Sequence, residues 1–454
     1  MKTAQALTYK RKVAIRDGKE IPEIAKGIWN PSVRDWHEVL EDMVGTAKMR
    51  RDNKFAQFRL QLSILGDIVT TEKAIAQYIT LINNPEEARK WIPEPEPIDQ
   101  IDIDHWKKEA NTNKILLAAL RDIGDGIAWR VLQHNRPLLY TMSRNEAPGT
   151  IRFDVGRLNE LQELSDITTD PTITHFFLHA ITNFARVGDI TSLDQDGKVE
   201  FAEVKSKSNP RGKKWKERVE RQILRLDNLT RLANEGIGLV DDKGVVVKMI
   251  NATPKLSLKK IRSLLLEAQA SGAASQLLQP YLAITAADFS AKYKEETFKH
   301  AHTSISAAIR EKGDIIVHPN SLHFFEFSPN RAPISIHPFE PSSIAGILLG
   351  RIILFYDFNV SRFFRELARE GWPVVDSPLL THPDNYNPET DPFCVIKKDK
   401  LTIAVPPSMI ARVVFEGISV KSLLLIFDAI RLAGASDQQE PMIYGFSGEA
   451  QLWK

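Results

Sequence analysis

The feature that most constrains the fold of this chain is a turn signal between two short segments with strand character. Ala185 to Leu193 and Val199 to Ser206 follow the two-residue period of strands, and the segment Asp-Gln-Asp-Gly at 194–197 separates them. Aspartate and glycine are residues that tight turns favour. The sequence therefore predicts a β-hairpin.

The register of this hairpin decides which side chains meet across it. A three-residue loop with Gly197 in the left-handed region places Asp189 opposite Glu203. A two-residue Asp-Gly turn would instead place Asp189 opposite Val204. Because side chains two apart along a strand share a face, Glu203 and Lys205 point the same way. We expect the three-residue loop, which gathers two carboxylates and one amine.

The elements around the hairpin indicate an α/β layer. Ile173 to Phe184 is predicted to be a buried helix, and Lys213 to Asn234 a long basic helix. Gly244 to Ile250 has strand character again. Further upstream, Trp106 to Leu139 is predicted to form two helices joined by a glycine turn at 124–126. The order helix, hairpin, helix, strand is typical of α/β proteins.

At 454 residues the chain is too long for one ordinary core, so several domains are expected. Alternating prolines at 93–97 favour an extended linker. We place an α-helical N-terminal region at 1–97 and the α/β core with its helical lead-in at 98–254. An α+β region at 255–454 follows, with a predicted role in recognition of a substrate or partner.

Charge and cysteine content exclude several classes of protein. A net charge of +2 excludes binding of nucleic acid by overall charge, so any basic surface is local. The single cysteine, Cys394, excludes an intramolecular disulfide and a multi-thiolate metal site. The N-terminus lacks the apolar segment of a signal peptide, and Ile344 to Tyr356 is too short to cross a membrane. We therefore expect a cytoplasmic protein without membrane contact, and a buried helix or strand at 344–356.

The predicted grouping of Asp189, Glu203 and Lys205 has a chemical consequence. Two carboxylates suit a hard divalent cation, Mg²⁺ or Mn²⁺. Such an ion polarises a phosphodiester and lowers the pKa of bound water, while Lys205 would orient that water or stabilise the transition state. The residues favour metal-dependent phosphodiester hydrolysis.

Gly188-Asp189 followed by Glu203-Val204-Lys205 resembles the site of the PD-(D/E)xK nuclease superfamily. The resemblance covers roughly residues 155 to 250 and implies a restriction-endonuclease-like mixed-sheet core. It implies that Asp189, Glu203 and the Val204 carbonyl bind the metal and that Lys205 is catalytic. Gln222 on the following helix matches a glutamine that many members place beside the active site.

The chain departs from the superfamily pattern in two places. Many members carry an acid on the helix before the core strands, whereas the predicted helix 173–184 carries His175 and His179. Glu160 or Glu163 on an earlier helix are the alternatives for this acid. Members also have a further strand before the Asp-bearing strand, and the short segment 183–188 leaves little room for it.

A basic segment follows the Glu-x-Lys motif and is a candidate nucleic-acid surface, although a solvated helix face is the usual meaning of such a charge run. The two histidines one helical turn apart, His175 and His179, are interpreted as core or pocket residues rather than a zinc site. The predicted nucleic-acid-binding residues are Lys207, Arg211, Lys213, Lys214, Lys216 and Arg218.

The sequence favours a Mg²⁺-dependent deoxyribonuclease acting as an endonuclease, with DNA as its partner. Defence against foreign DNA is a fold-level analogy. Two alternatives stay open: an RNA-directed nuclease, and a non-catalytic nucleic-acid or protein interaction module built on the same core. A protein partner or a homo-oligomer also stays open.

Overall fold

We analysed a computed structural model of the protein. The structure describes residues 35–48, 53–85, 100–143, 149–151, 155–204, 213–239, 246–251, 254–290, 293–321, 332–382, 385–387, 390–399, 401–434 and 442–447.

Helices dominate the described chain before the first strand. The longest two, α2 and α3, pack against each other, and α1 packs on both. Their contact is apolar, with Ile64 and Ile68 of α2 and Leu120 and Ile123 of α3 all buried. These helices are α1 (Trp36–Lys48), α2 (Lys54–Asn83), α3 (Gln100–Val131), α4 (Arg136–Ser143) and α5 (Val155–Thr169).

The predicted glycine turn inside α3 is wrong, because the helix runs straight through it. A Cβ on Gly124 would lie 2.1 Å from the Ile181 carbonyl oxygen, and one on Gly126 would lie 2.4 Å from Ser335 Oγ. These glycines therefore permit close packing rather than a turn. The chain turns after α3 instead, where Gln133 and His134 adopt positive φ angles of 51° and 61°.

The segment predicted as a helix at 173–184 is instead strand β1 (Ile173–Leu178) followed by a 3₁₀ turn (His179–Ile181). Its aromatic and β-branched residues favour an extended backbone, and β1 pairs antiparallel with β2. On its outer edge, Gln61 of α2 donates to the Phe176 carbonyl and accepts from the Leu178 N–H. The side chain of Gln61 thus satisfies the free edge of the sheet.

The hairpin consists of β2 (Ile190–Asp194) and β3 (Val199–Ala202), in a three-stranded sheet of order β1-β2-β3. Both strands are shorter than predicted, since the first begins at Ile190 rather than Ala185 and the second ends at Ala202. The predicted basic helix is α6 (Lys213–Glu235). Next come β4 (Ile237–Leu239) and β5 (Val246–Asn251), so the predicted strand at 244–250 is confirmed from Val246 onward, and residues 244 and 245 lie outside the described residues. Asn234, near the end of α6, bonds both the N–H and the carbonyl of Val199 and fixes the helix against the start of β3.

A second antiparallel sheet, of order β6-β7-β9-β8, lies in the C-terminal half. Its strands are β6 (Ala273–Gln279), β7 (Leu282–Asp288), β8 (Ile316–Val317) and β9 (Ile352–Asn359). The associated helices are α7 (Leu258–Ser271), α8 (Glu295–Ile309), α9 (Pro341–Leu348) and α10 (Val360–Arg369). The apolar segment at 344–356 therefore forms parts of a buried helix and a buried strand.

The remaining elements complete a mixed α/β fold with small sheets. β13 pairs parallel with β5, while β10, β11 and β12 form another antiparallel sheet. The elements are β10 (Val374–Asp376), α11 (Pro378–Thr381), β11 (Cys394–Lys398), β12 (Leu401–Val405), α12 (Pro407–Phe415), α13 (Val420–Gly434) and β13 (Met442–Ser447).

Buried apolar residues from Leu40 in α1 to Phe427 in α13 belong to one continuous hydrophobic cluster. Polar contacts also connect distant parts of the chain. The Arg136 side chain donates to both carboxylate oxygens of Glu416, at 2.8 and 2.9 Å. Among the described residues, no helix combines the length and apolar character that crossing a membrane requires.

Candidate functional site

The hairpin adopts the register that the sequence predicted. Leu193 pairs with Val199 and Ile190 with Ala202. The strand pairing ends there, and the N–H of Asp189 bonds the carbonyl of Ala202, the residue before Glu203. Gly197 has a φ of +80°, and its N–H donates to the Asp194 carbonyl at 3.2 Å. The three-residue loop with a left-handed glycine is therefore confirmed.

Three hydrogen bonds hold Asp189 at the end of the hairpin. Its N–H donates to the Ala202 carbonyl at 2.8 Å, and its carbonyl accepts from the His179 N–H at 2.9 Å. Its carboxylate Oδ2 accepts from the Val204 N–H at 2.8 Å. The last bond fixes the side chain directly beside the Glu-x-Lys segment. A carboxylate that accepts from a backbone N–H is stabilised in its charged form.

Gly188 gives Asp189 its position. Gly188 has a φ of +79°, and a Cβ at this residue would lie 3.1 Å from the Ala202 carbonyl oxygen and 3.3 Å from His179 Cε1. Both the backbone angle and the narrow space favour glycine. The residue therefore lets the chain enter β2 close to β3.

Glu203 is oriented by the helix that follows. Gln222 on α6 donates from Nε2 to Glu203 Oε1 at 2.8 Å. Gln222, Leu226 and Leu229 share one helix face by i, i+4 and i+7 spacing, and Leu229 is buried. Ile223, the next residue on α6, is 52% exposed. The face turned toward the sheet thus includes Gln222, so its amide reaches the acid.

The structure distinguishes the two alternatives for a helix-borne acid. Both lie on α5, which packs against β1. Glu160 is buried and forms an ion pair with Arg157, whereas Glu163 is exposed. Because β1 replaces the predicted helix at 173–184, α5 becomes the helix that precedes the core strands. Glu160 is therefore the better placed of the two.

His175 and His179 do not share a helix face, because they lie on β1 and in the 3₁₀ turn. His175 Nδ1 contacts Thr174 Oγ1 at 3.0 Å, and His179 Nε2 contacts Thr191 Oγ1 at 2.6 Å. Burial lowers the pKa of His179 to about 3, so its ring is neutral at neutral pH. His179 supports the site through its backbone N–H, a role that the sequence analysis missed.

Several predicted site residues lie outside the described part of the chain. These are Lys205, Lys207 and Arg211. The first two turns of α6 contain further predicted nucleic-acid-binding residues whose side chains are also outside it. These are Lys213, Lys214, Lys216 and Arg218.

The donor set on the hairpin suits a hard cation better than a soft one. Within the described ranges no group of three or more His, Cys, Asp or Glu side chains could enclose a metal ion. Asp189 and Glu203 supply two carboxylates on neighbouring strands. Mg²⁺ is commonly held by one or two carboxylates, with water completing its coordination. Two carboxylates are the kind of oxygen donor that Mg²⁺ or Mn²⁺ prefers, and the predicted third donor is the Val204 carbonyl.

Comparison of the chain with protein-family models, curated proteins and solved structures yields no match.

Proposed function

We propose that the protein is a metal-dependent nuclease that hydrolyses DNA phosphodiester bonds at the end of the hairpin. The observation that carries the proposal is that two carboxylates are fixed at the same end of the hairpin, Asp189 by the Val204 N–H and Glu203 by the Gln222 amide. Like charges facing each other across strands reduce stability. A bound cation removes that cost, so the pair is best understood as a cation site.

The order of elements supports a restriction-endonuclease-like core. Helix α5 is followed by β1, β2 and β3, then by α6 and a further strand. The strand that was missing from the sequence interpretation is β1, and α5 carries the buried acid Glu160. With β1 as the further strand and Glu160 as the helix-borne acid, the chain departs less from the superfamily pattern than the sequence suggested. This favours the resemblance over an accidental Glu-x-Lys match.

Each described residue then has a role in the proposed site. Asp189 and Glu203 would hold the cation, which when bound polarises the scissile phosphate and supplies an activated water. The Val204 N–H fixes the carboxylate of Asp189, and Gln222 fixes that of Glu203. Lys205 would stabilise the charge that develops on the phosphate. DNA would lie along the basic start of α6.

The test is cleavage of supercoiled, nicked and linear plasmid in Mg²⁺, Mn²⁺ or EDTA. The variants are Asp189→Asn, Glu203→Gln and Lys205→Ala. Glu200→Gln is the matched control, because Glu200 lies on the same hairpin strand but its side chain is 59% exposed and paired with Lys198. Circular dichroism and thermal unfolding confirm that each variant is folded.

We expect metal-dependent cutting that the three site variants abolish and the control retains. Appearance of nicked and then linear plasmid would identify an endonuclease. Cutting that survives all three substitutions would overturn the proposed site. DNA binding without cutting would support the interaction module instead, and cutting of RNA alone would identify the substrate as RNA.

A further inference from the structure

The second sheet contains a buried acid that lies between two imidazoles. Asp357 on β9 is 2% exposed. Continuing the pairing of β8 with β9 by one residue places His318 opposite it, and His318 Nδ1 lies 2.5 Å from Asp357 Oδ1. His302 on α8 approaches from the other side, with Nδ1 at 3.8 Å from Asp357 Oδ2. The proposed nuclease site does not involve these residues.

The carboxylate sets the orientation of the His318 ring. Because Nδ1 faces Asp357, this nitrogen carries the proton and donates it to the carboxylate. Nε2 is then left for a ligand. The His318 side chain is 52% exposed and lines a surface cavity of about 600 Å³ between the end of α8 and β8. A histidine supported by a buried carboxylate therefore faces a space that could hold a small molecule.

Charged side chains of both signs line this cavity. Arg310 and Lys312 line it, together with the acids Glu311 and Asp314. Both acids bind the single guanidinium of Arg365, which lies 3.0 Å from Glu311 Oε2 and 2.8 Å from Asp314 Oδ1 and offsets one of their two negative charges.

Asn359 also donates to Asp314, at 2.6 Å. In contrast, Arg310 and Lys312 form no ion pair with any acid in the described ranges. With Arg365 included, the charged side chains around the cavity carry an excess of one positive charge, and Arg310, Lys312 and the His318 ring are left to contact a ligand.

We propose that this cavity, which we call the α8–β8 pocket, binds a phosphate group. An arginine fork and a lysine supply several donors to phosphate oxygens, and such charge-assisted bonds are the strong ones. As an imidazolium, His318 would add a third donor from Nε2, with Asp357 balancing the charge of the ring. The phosphate belongs either to a free ion or mononucleotide, or to a nucleic-acid strand.

The test measures dissociation constants by isothermal titration calorimetry on the full chain. The probes are inorganic phosphate, a deoxynucleoside monophosphate and a short DNA duplex. The variants are Arg310→Ala, Lys312→Ala and His318→Gln. Lys299→Ala is the matched control, since it removes one positive charge from the adjoining helix α8, and Lys299 pairs with Glu295 and does not line the cavity.

We expect each pocket variant to weaken phosphate binding about tenfold and the control to leave it unchanged. Mutual competition between phosphate and the mononucleotide would identify a free ligand. Binding of DNA alone, with the same sensitivity to Arg310, would identify a strand phosphate. Both results support the phosphate site.

Equal binding by the wild type and all pocket variants would overturn the α8–β8 pocket, as would the absence of binding with every probe. A weakening by Lys299→Ala equal to that of the pocket variants would also overturn it, since it would reflect overall charge. Phosphate binding by the Asp189→Asn variant distinguishes this pocket from the proposed nuclease site. We expect the dissociation constant of this variant for phosphate to equal that of the wild type.

Discussion

The two principal sheets place their acids in different electrostatic surroundings. At the hairpin of the first sheet, Asp189 and Glu203 are held at the same end of a strand pair. In the second sheet, Asp357 lies inside a central strand between two histidines. The first arrangement concentrates negative charge, whereas the second pairs the acid with imidazole rings and leaves one partly exposed imidazole beside Arg310 and Lys312.

This difference shows how strand position affects the use of a carboxylate. An acid within a central strand is cut off from water and must be paired, since an unpaired buried charge is costly. An acid at a strand end can face a like charge because a cation from solution can reach it. A strand-end pair therefore suits cation binding, whereas the interior acid supports a neighbouring donor.

Substitution of Glu416 should reduce the stability of the protein more than substitution of any other acid named above. It is buried, and burial alone would raise the pKa of its carboxyl, but Arg136 and Arg412 outweigh this and lower it. Replacing Glu416 with alanine leaves two arginines without their partner. We expect Glu416→Ala to reduce the free energy of unfolding by about 3–5 kcal/mol, measured by urea denaturation.

Glu235→Ala is the control for this effect, because Glu235 pairs with Arg231 at an exposed position. Its loss should cost about 1 kcal/mol or less. Comparable losses at both positions would show that burial does not set the strength of these ion pairs.

Asp189→Asn should separate activity from stability. The amide oxygen can still accept from the Val204 N–H, so the backbone contact survives. Removing one of two facing charges relieves repulsion of roughly 0.2–1 kcal/mol. We expect cleavage to fall by about 100-fold or more while the melting temperature is unchanged or higher. A melting temperature that falls with activity would mean that the acid has a structural role.

Asp357→Asn should lower the stability of the protein, whereas Asp189→Asn should leave it unchanged or raise it. The substitution removes a charge that two imidazoles partly balance, and the 2.5 Å contact with His318 weakens. Because His318 is half exposed, solvent screens the interaction, and we expect a loss of about 1 kcal/mol. Thermal unfolding at pH 6 compares this variant with Asp189→Asn. A stabilised Asp357→Asn would contradict the contrast between the two sheets.

Asp125 gives an effect on stability that depends on pH. Burial raises the pKa of Asp125 to about 7, although Asn183 donates to both carboxylate oxygens. A folded pKa above the unfolded value means that the folded state binds more protons, so stability falls as pH rises from about 4 to 7. The variant Asp125→Asn should lose this component. Urea denaturation at pH 5 and pH 8 measures it, and an unchanged pH dependence would contradict the burial of a titrating acid.

Local patterns predicted the turn of the hairpin and the elements that follow it. The three-residue loop at 195–197, the register that pairs Leu193 with Val199, the long basic helix and the strand from Val246 all follow from short-range chemistry. A left-handed glycine and a two-residue period fix a hairpin without help from distant residues. The contact between Gln222 and Glu203 then follows from the helix that comes after β3.

Two predictions failed because tertiary contacts outweighed local signals. Gly124 and Gly126 look like a turn in the sequence, yet they lie inside a helix because Ile181 and Ser335 pack against them. The apolar run that begins at Ile173 has no period that separates a buried helix from a buried strand. Pairing with β2 and the hydrogen bonds of Gln61 to the outer edge of β1 stabilise the strand conformation.

The sequence by itself determined the hairpin, its register and the presence of two acids and a glutamine at suitable spacing. Only the tertiary structure revealed that Glu160 is buried beside β1 and that Asp357 lies between His302 and His318. It also placed Arg136 on Glu416, 280 residues later in the chain. The physical reason is range: turn geometry and strand period act between neighbours, whereas burial and charge pairing depend on elements that meet only after the chain folds.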